Sequence, residues 1–109
     1  MAADELVDVS IAGPDEDQLA DFTRLLVEKR LAACGNIIPG VRSIYRWEGE
    51  VEEAEEALAL LHTRRSLVPA IIEAANEHHP YDVPQVLAVP VSEAHPGYRQ
   101  WVLDSTLAE

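Results

Sequence analysis

Residues 50 to 63 constrain this chain more than any other stretch, because "EVEEAEEALALLHT" has two incompatible readings and the rest of the fold follows from the choice. The segment is rich in helix formers and places Val51, Ala54, Leu58 and Leu61 on roughly one helical face, so periodicity alone predicts a helix. The competing reading pairs it as a strand with residues 41 to 48, setting Leu58 and Leu60 on one side and Ala57, Ala59 and Leu61 on the other. Glu48-Gly49 lies where a tight hairpin turn would fall between the two.

The flanking elements are less ambiguous. "ELVDVSIA" alternates Val7, Val9 and Ile11 with Leu6, Asp8 and Ser10, which predicts a half-buried strand ending at Gly13-Pro14. From Asp15 to Ala33, the spacing of Leu19, Phe22, Leu25, Leu26 and Leu31 predicts a helix, with acids in its first turn complementing the helix dipole. Ile37, Ile38, Val41, Ile44, Tyr45 and Trp47 supply the β-branched and aromatic residues of a strand. "SLVPAIIEAANEHH" reads as a second helix, capped by Ser66, with Pro69 in its first turn and Pro80 at its end. "VPQVLAVPV" follows as a short strand, and "HPGYRQWVLDSTL" as a last helix. If residues 50 to 63 form a strand, the order is βαββαβ plus one C-terminal helix, an α+β ferredoxin-like sandwich.

Composition narrows function by exclusion. With 109 residues and 48% hydrophobic content, residues 1–109 make one domain around one core. A net charge of −12 opposes binding to a phosphate backbone, so nucleic acid is not an expected partner. Acids stand near the N-terminus where a secretory signal needs basic residues, and no apolar run is long enough to span a bilayer, so no membrane association is expected. The expected location is the cytoplasm, and the single cysteine, Cys34, agrees with a reducing compartment.

Candidate chemistry centres on "HHPYDVP". Adjacent helical residues point about 100° apart, so His78 and His79 cannot share an ion while both are helical. Pro80 disfavours helical geometry at His79 and permits its ring to swing toward that of His78. The plainer reading is two histidines at the negative end of a helix dipole. For Cys34 it is a small packed side chain. His62 and His95 read as structural or exposed, and Arg64 and Arg65 as surface ion-pair formers, although both lie at a helix N-terminus that could hold an anion. No phosphate-loop spacing, nucleophile motif or paired acid and base is present, so no enzymatic activity is expected.

Four blocks in register, "RLAACGNIIPGVRSIYRWEGEVEEAEE", "LHTRRSLVPAI", "HHPYDVPQVLAVPV" and "YRQWV", resemble the CutA divalent-cation tolerance proteins over roughly residues 7 to 103. The resemblance implies the ferredoxin-like fold, a hairpin strand at residues 50 to 63, and a homotrimer similar to PII signalling proteins, with Tyr45 and Trp47 at the subunit interface or in the core. It implies a role in copper tolerance and response to metal ions, with His78, His79 and Cys34 as metal ligands. Imidazole and thiolate suit copper first and zinc second. Some family members carry a second cysteine where Ile11 stands here, so a cysteine pair is excluded within one chain. The alternative is a PII-like signalling or scaffold trimer that binds a small effector or a partner protein between subunits.

Overall fold

A computed structural model describes residues 4–108. Its elements are β1 (Leu6–Gly13), α1 (Glu16–Glu28), β2 (Cys34–Trp47), β3 (Glu50–Arg64), α2 (Val68–His78), β4 (Val86–Pro90) and α3 (Pro96–Ser105). The four strands form one sheet in the order β2-β3-β1-β4, with every neighbouring pair antiparallel. β1 and β2 therefore run parallel with β3 inserted between them, the split βαβ arrangement of a ferredoxin-like domain followed by an extra helix.

Residues 50 to 63 are strand, against their helical periodicity. β3 bonds to β1 from Arg64 to Ala57 and to β2 from His62 to Glu50, so it is hydrogen-bonded on both sides through its inner half. Alternation buries Ala57, Ala59 and Leu61 against the helices. Leu58 and Leu60, on the opposite face, are half-buried. Pairing along two ladders is available only in the folded chain, and it outweighs a local preference of a few tenths of a kcal/mol per residue.

The core lies between the sheet and the first two helices. Val7, Val9 and Ile11 of β1 pack with Leu19, Phe22 and Leu26 of α1 and with Ile71 and Ala75 of α2. Ile11, Leu26, Leu61 and Ile71 are completely buried, each worth about 1.5–3 kcal/mol relative to exposure. Asp15 caps α1 by accepting from the Gln18 amide at 3.0 Å. α1 ends at Glu28, five residues before the expected Ala33. Arg30 turns left-handed at φ 61°, and the Leu31 amide bonds back to the Leu26 carbonyl, a Schellman closure after which Ala32 and Ala33 lead into β2, the Ala33 amide already bonding the His62 carbonyl at 2.9 Å. Ser66 does not cap α2: its hydroxyl bonds Asp4 at 2.5 Å, and Leu67 takes the cap position without a side-chain bond.

The hairpin turns at Glu48 and Gly49 with φ 49° and 81°, the paired positive values of a type I′ turn. A bulge between Ile38 and Val41 accommodates Pro39, which has no amide to donate, and Gly40 at φ 67°. Beyond the bulge the hairpin projects from the body and stretches the molecule to 47 × 25 × 23 Å. α3 covers one end of the sheet face opposite α1 and α2, where Val102 packs with Leu6 and Ala33. Among the described residues, no helix covers the rest of that face. Among the described residues, no helix is long and apolar enough to cross a membrane.

Candidate functional site

His78 and His79 sit at the end of α2, where Pro80 does impose an extended backbone on His79, φ −76° and ψ 142°. The two rings do not share an open site. The His79 Nε2–H donates to the Ala12 carbonyl at 2.7 Å, and its Nδ1 accepts from the Tyr81 amide at 3.1 Å. Both nitrogens are thereby spent, and the side chain is buried. His79 is a brace joining the end of β1 to the 80–85 loop. His78 is open to solvent, with Nε2 4.0 Å from the Glu77 carboxylate and its ring 6.4 Å from that of Phe22. Both histidines line a crevice of about 20 Å³ beside Gly13, Asp15 and Phe22, room for about one water.

Cys34 lies elsewhere, on the sheet face opposite α1 and α2, at the end that α3 covers. In the cross-strand register it pairs with His62, which pairs in turn with Asp8. The His62 Nδ1–H donates to the Asp8 carboxylate at 2.7 Å. Cys34 Sγ is 3.3 Å from the Tyr98 hydroxyl, and the Tyr98 ring meets that of His62 edge-on at 6.1 Å. The bond to Cys34, with burial adding to it, pushes the Tyr98 phenol up to about 12. The expected grouping of Cys34 with His78 and His79 is therefore not formed within one chain. Among the described residues, no three His, Cys, Asp or Glu side chains converge on one point.

The remaining polar candidates are structural. His95 caps α3 through Nδ1, which accepts from the Gly97 and Tyr98 amides. Arg64 is buried and bonds Thr106 Oγ1 and the Leu103 carbonyl, tying down the C-terminal segment, and Arg65 pairs with Glu5 at 2.5 Å. The Arg64 guanidinium is thus committed to the C-terminal segment, and Arg65 forms the surface ion pair expected of it.

Sequence reasoning did not single out Tyr81 or Glu56. The Tyr81 hydroxyl donates to Glu56 Oε2 at 2.8 Å, and its ring lies 5.1 Å from that of His79. Burial and this hydrogen bond push the Tyr81 phenol up to about 12. Glu56 belongs to β3, so the pairing was invisible while residues 50 to 63 stayed ambiguous; the available signal was a tyrosine two residues after the bracing histidine. Tyr81 forms one wall of a groove of about 800 Å³ between the hairpin and the 80–85 loop, the size of a small-molecule site.

Residues 7–105 match the family model described as CutA1 divalent ion tolerance protein. Protein CutA of Mus musculus is 47% identical over 82% of this chain and 50% of its own length, so the chain spans about half of that relative. The divalent-cation tolerance protein CutA of Thermus thermophilus is 43% identical, over 90% of this chain and 95% of its own. A solved structure of the Thermus thermophilus divalent cation tolerance protein (Cut A1) superposes with a TM-score of 0.90 at 42% identity, covering 93% of this chain and 98% of that one. A match to the family model across nearly the whole chain, together with the shared backbone, establishes that this chain belongs to the CutA1 divalent ion tolerance protein family.

Proposed function

We propose that this chain serves divalent-cation tolerance as a cytoplasmic homotrimer that sequesters or senses copper and catalyses no reaction. The observation that carries the reading is the uncovered sheet face. Ile38, Leu87 and Val89, with Ile44, Trp47 and Val51 on the hairpin, are each at least 40% exposed, too much apolar surface for a comfortable monomer. The exposure of Tyr45 and Trp47 favours an interface role for both over a place in the core. β2 and β4 form the two sheet edges, with unpaired backbone groups along their outer sides. If the β2 edge of one copy meets the β4 edge of the next, the contact is head-to-tail, and a one-third rotation at each contact would close three copies as a ring. The PII-like likeness of the family supports three copies.

The donors suit copper by type. His78 presents an exposed imidazole and Cys34 a partly exposed thiol, and first-row affinities peak at Cu²⁺, with zinc behind it. Because one chain does not gather these donors, a site with several protein ligands requires more than one copy. His79 contributes by holding the loop beside His78 rather than by offering a nitrogen. Isothermal titration of Cu²⁺ into the full chain and into His78→Ala and Cys34→Ala tests this. Weaker binding in either variant supports the reading, and unchanged affinity and stoichiometry in both rejects these ligands.

The groove supports a second reading, a PII-like trimer that binds a small effector between subunits. Its carboxylates, Glu56 and Asp82, disfavour a phosphate-bearing effector. A thermal-shift screen with nucleotides and metal salts separates the two: stabilisation by a nucleotide alone supports the second.

A further inference from the structure

One row across the sheet brings together three side chains of metal-ligand type. Cys34, His62 and Asp8 stand opposite one another on β2, β3 and β1, with His62 in the middle. The His62 Nδ1–H donates to the Asp8 carboxylate at 2.7 Å, and Nε2 has no hydrogen-bond partner among the described residues. An imidazole held by a carboxylate at one nitrogen, with the other lone pair free, is the form in which histidine binds metals. On the other flank Cys34 Sγ is 3.3 Å from the Tyr98 hydroxyl, and the Tyr98 ring packs on Trp101 at 5.5 Å, so the thiol lies beneath an aromatic roof.

We propose that Cys34 Sγ and His62 Nε2 form a two-donor site for a soft monovalent cation of the Cu(I) kind, with Asp8 as the residue that orients His62. Residues directly opposite on neighbouring strands have Cβ atoms about 4.5–5.5 Å apart, so their side chains reach a common point. A linear bridge with bonds of about 2.3 Å to sulfur and about 2.1 Å to nitrogen, as zinc makes them, spans about 4.4 Å, the same scale. Asp8 stands across His62 from Cys34 and is no ligand, in keeping with the absence of three converging donors among the described residues. Two donors suffice for Cu(I), which thiolate selects, whereas Cu²⁺ favours a fuller ligand set and still requires a second copy.

On binding, the Cys34 S–H bond is exchanged for S–Cu, the proton leaves to solvent, and copper keeps its oxidation state. The Tyr98 hydroxyl then donates to the thiolate. An ion is small enough that a neighbouring copy closing over this face would enclose it rather than displace it. The proposal goes beyond the Cu²⁺ reading: the two share Cys34, but His62 belongs to this site alone and His78 to the other alone.

The test titrates the full chain, under argon with ascorbate, into the coloured complex of Cu(I) with bathocuproine disulfonate, and follows the loss of colour. Wild type should withdraw one Cu(I) per chain, and Cys34→Ala should withdraw none. His62→Phe keeps a ring against Tyr98 and removes both nitrogens, and should bind at least about tenfold more weakly; Asp8→Ala, which frees the imidazole, should lose about 10- to 100-fold. His78→Ala should bind as wild type does. Wild-type affinity in His62→Phe, as a site of cysteine alone would give, no uptake by wild type, or an equal loss in His78→Ala overturns the proposal. Should His62→Phe fail to fold, proton NMR of the wild type decides: the ring resonances of His62 should shift on Cu(I) loading while those of His78 stay, and an unmoved His62 overturns it.

Discussion

His78 and His79 are adjacent in sequence and opposite in role. His79 is buried with both ring nitrogens bonded, so His79→Ala leaves the Ala12 carbonyl and the Tyr81 amide without partners. The buried Ala12 carbonyl left without this partner costs about 1–3 kcal/mol, and the urea midpoint should fall accordingly. His78→Ala, at an exposed position, should move stability by less than about 0.5 kcal/mol while weakening copper binding. Gly35 is constrained by packing: a Cβ there would stand 2.5 Å from Thr23 Cγ2 and 2.7 Å from a Leu61 methyl. Gly35→Ala should destabilise by about 1–3 kcal/mol, read by thermal melting. The two perturbed tyrosines make a further prediction. Tyr81 and Tyr98 have phenol pKa values raised to about 12 from the ordinary 10.0, so the fold favours their neutral forms. That contribution to stability is complete below pH 10 and is lost as pH rises from 10 through 12. Absorbance at the phenolate band should show both ionising near pH 12, and unfolding in base should begin in the same window.

At the scale of elements, the type I′ turn is the most local feature of the hairpin and the simplest to test. Gly49→Ala places a side chain at φ 81° and should cost about 1–2 kcal/mol, whereas Glu48→Asn, better suited to φ 49°, should stabilise by a few tenths to about 1 kcal/mol; urea titration measures both. This turn was legible in "EG", as were β1 from its alternation and α1 from its apolar spacing. The family likeness settled β3 as a strand; periodicity did not, because its identity depends on ladders to residues about 50 positions away in β1 as well as on the adjacent hairpin strand. α1 overran its true end in the sequence reading because Arg30, not a glycine, takes the left-handed position that closes the helix. The site was half legible. Pro80 correctly implied an extended His79, but which atoms its ring would meet depended on Ala12, far away in β1. The neighbourhood of Cys34 was equally non-local, since it follows from strand register and from the placing of α3 against the open sheet face.

For the whole molecule, the unresolved business of the single chain is its uncovered apolar face and two sheet edges. Leu87 and Val89 share the cross-strand rows of Ser10 and Asp8, so they project from the same face as Leu58, Leu60 and His62. A Leu87→Glu, Val89→Glu double variant should leave each chain folded, because both residues are more than half exposed, yet lower the sedimentation coefficient by breaking assembly. The central claim is that copies of this chain close on one another and that metal donors scattered in one copy become a site only in the assembly. Native mass spectrometry of the full chain with and without added Cu²⁺ tests both halves at once. The account predicts a three-chain species that takes up copper in defined stoichiometry; a single-chain species, or a three-chain species that gains no copper, would contradict it.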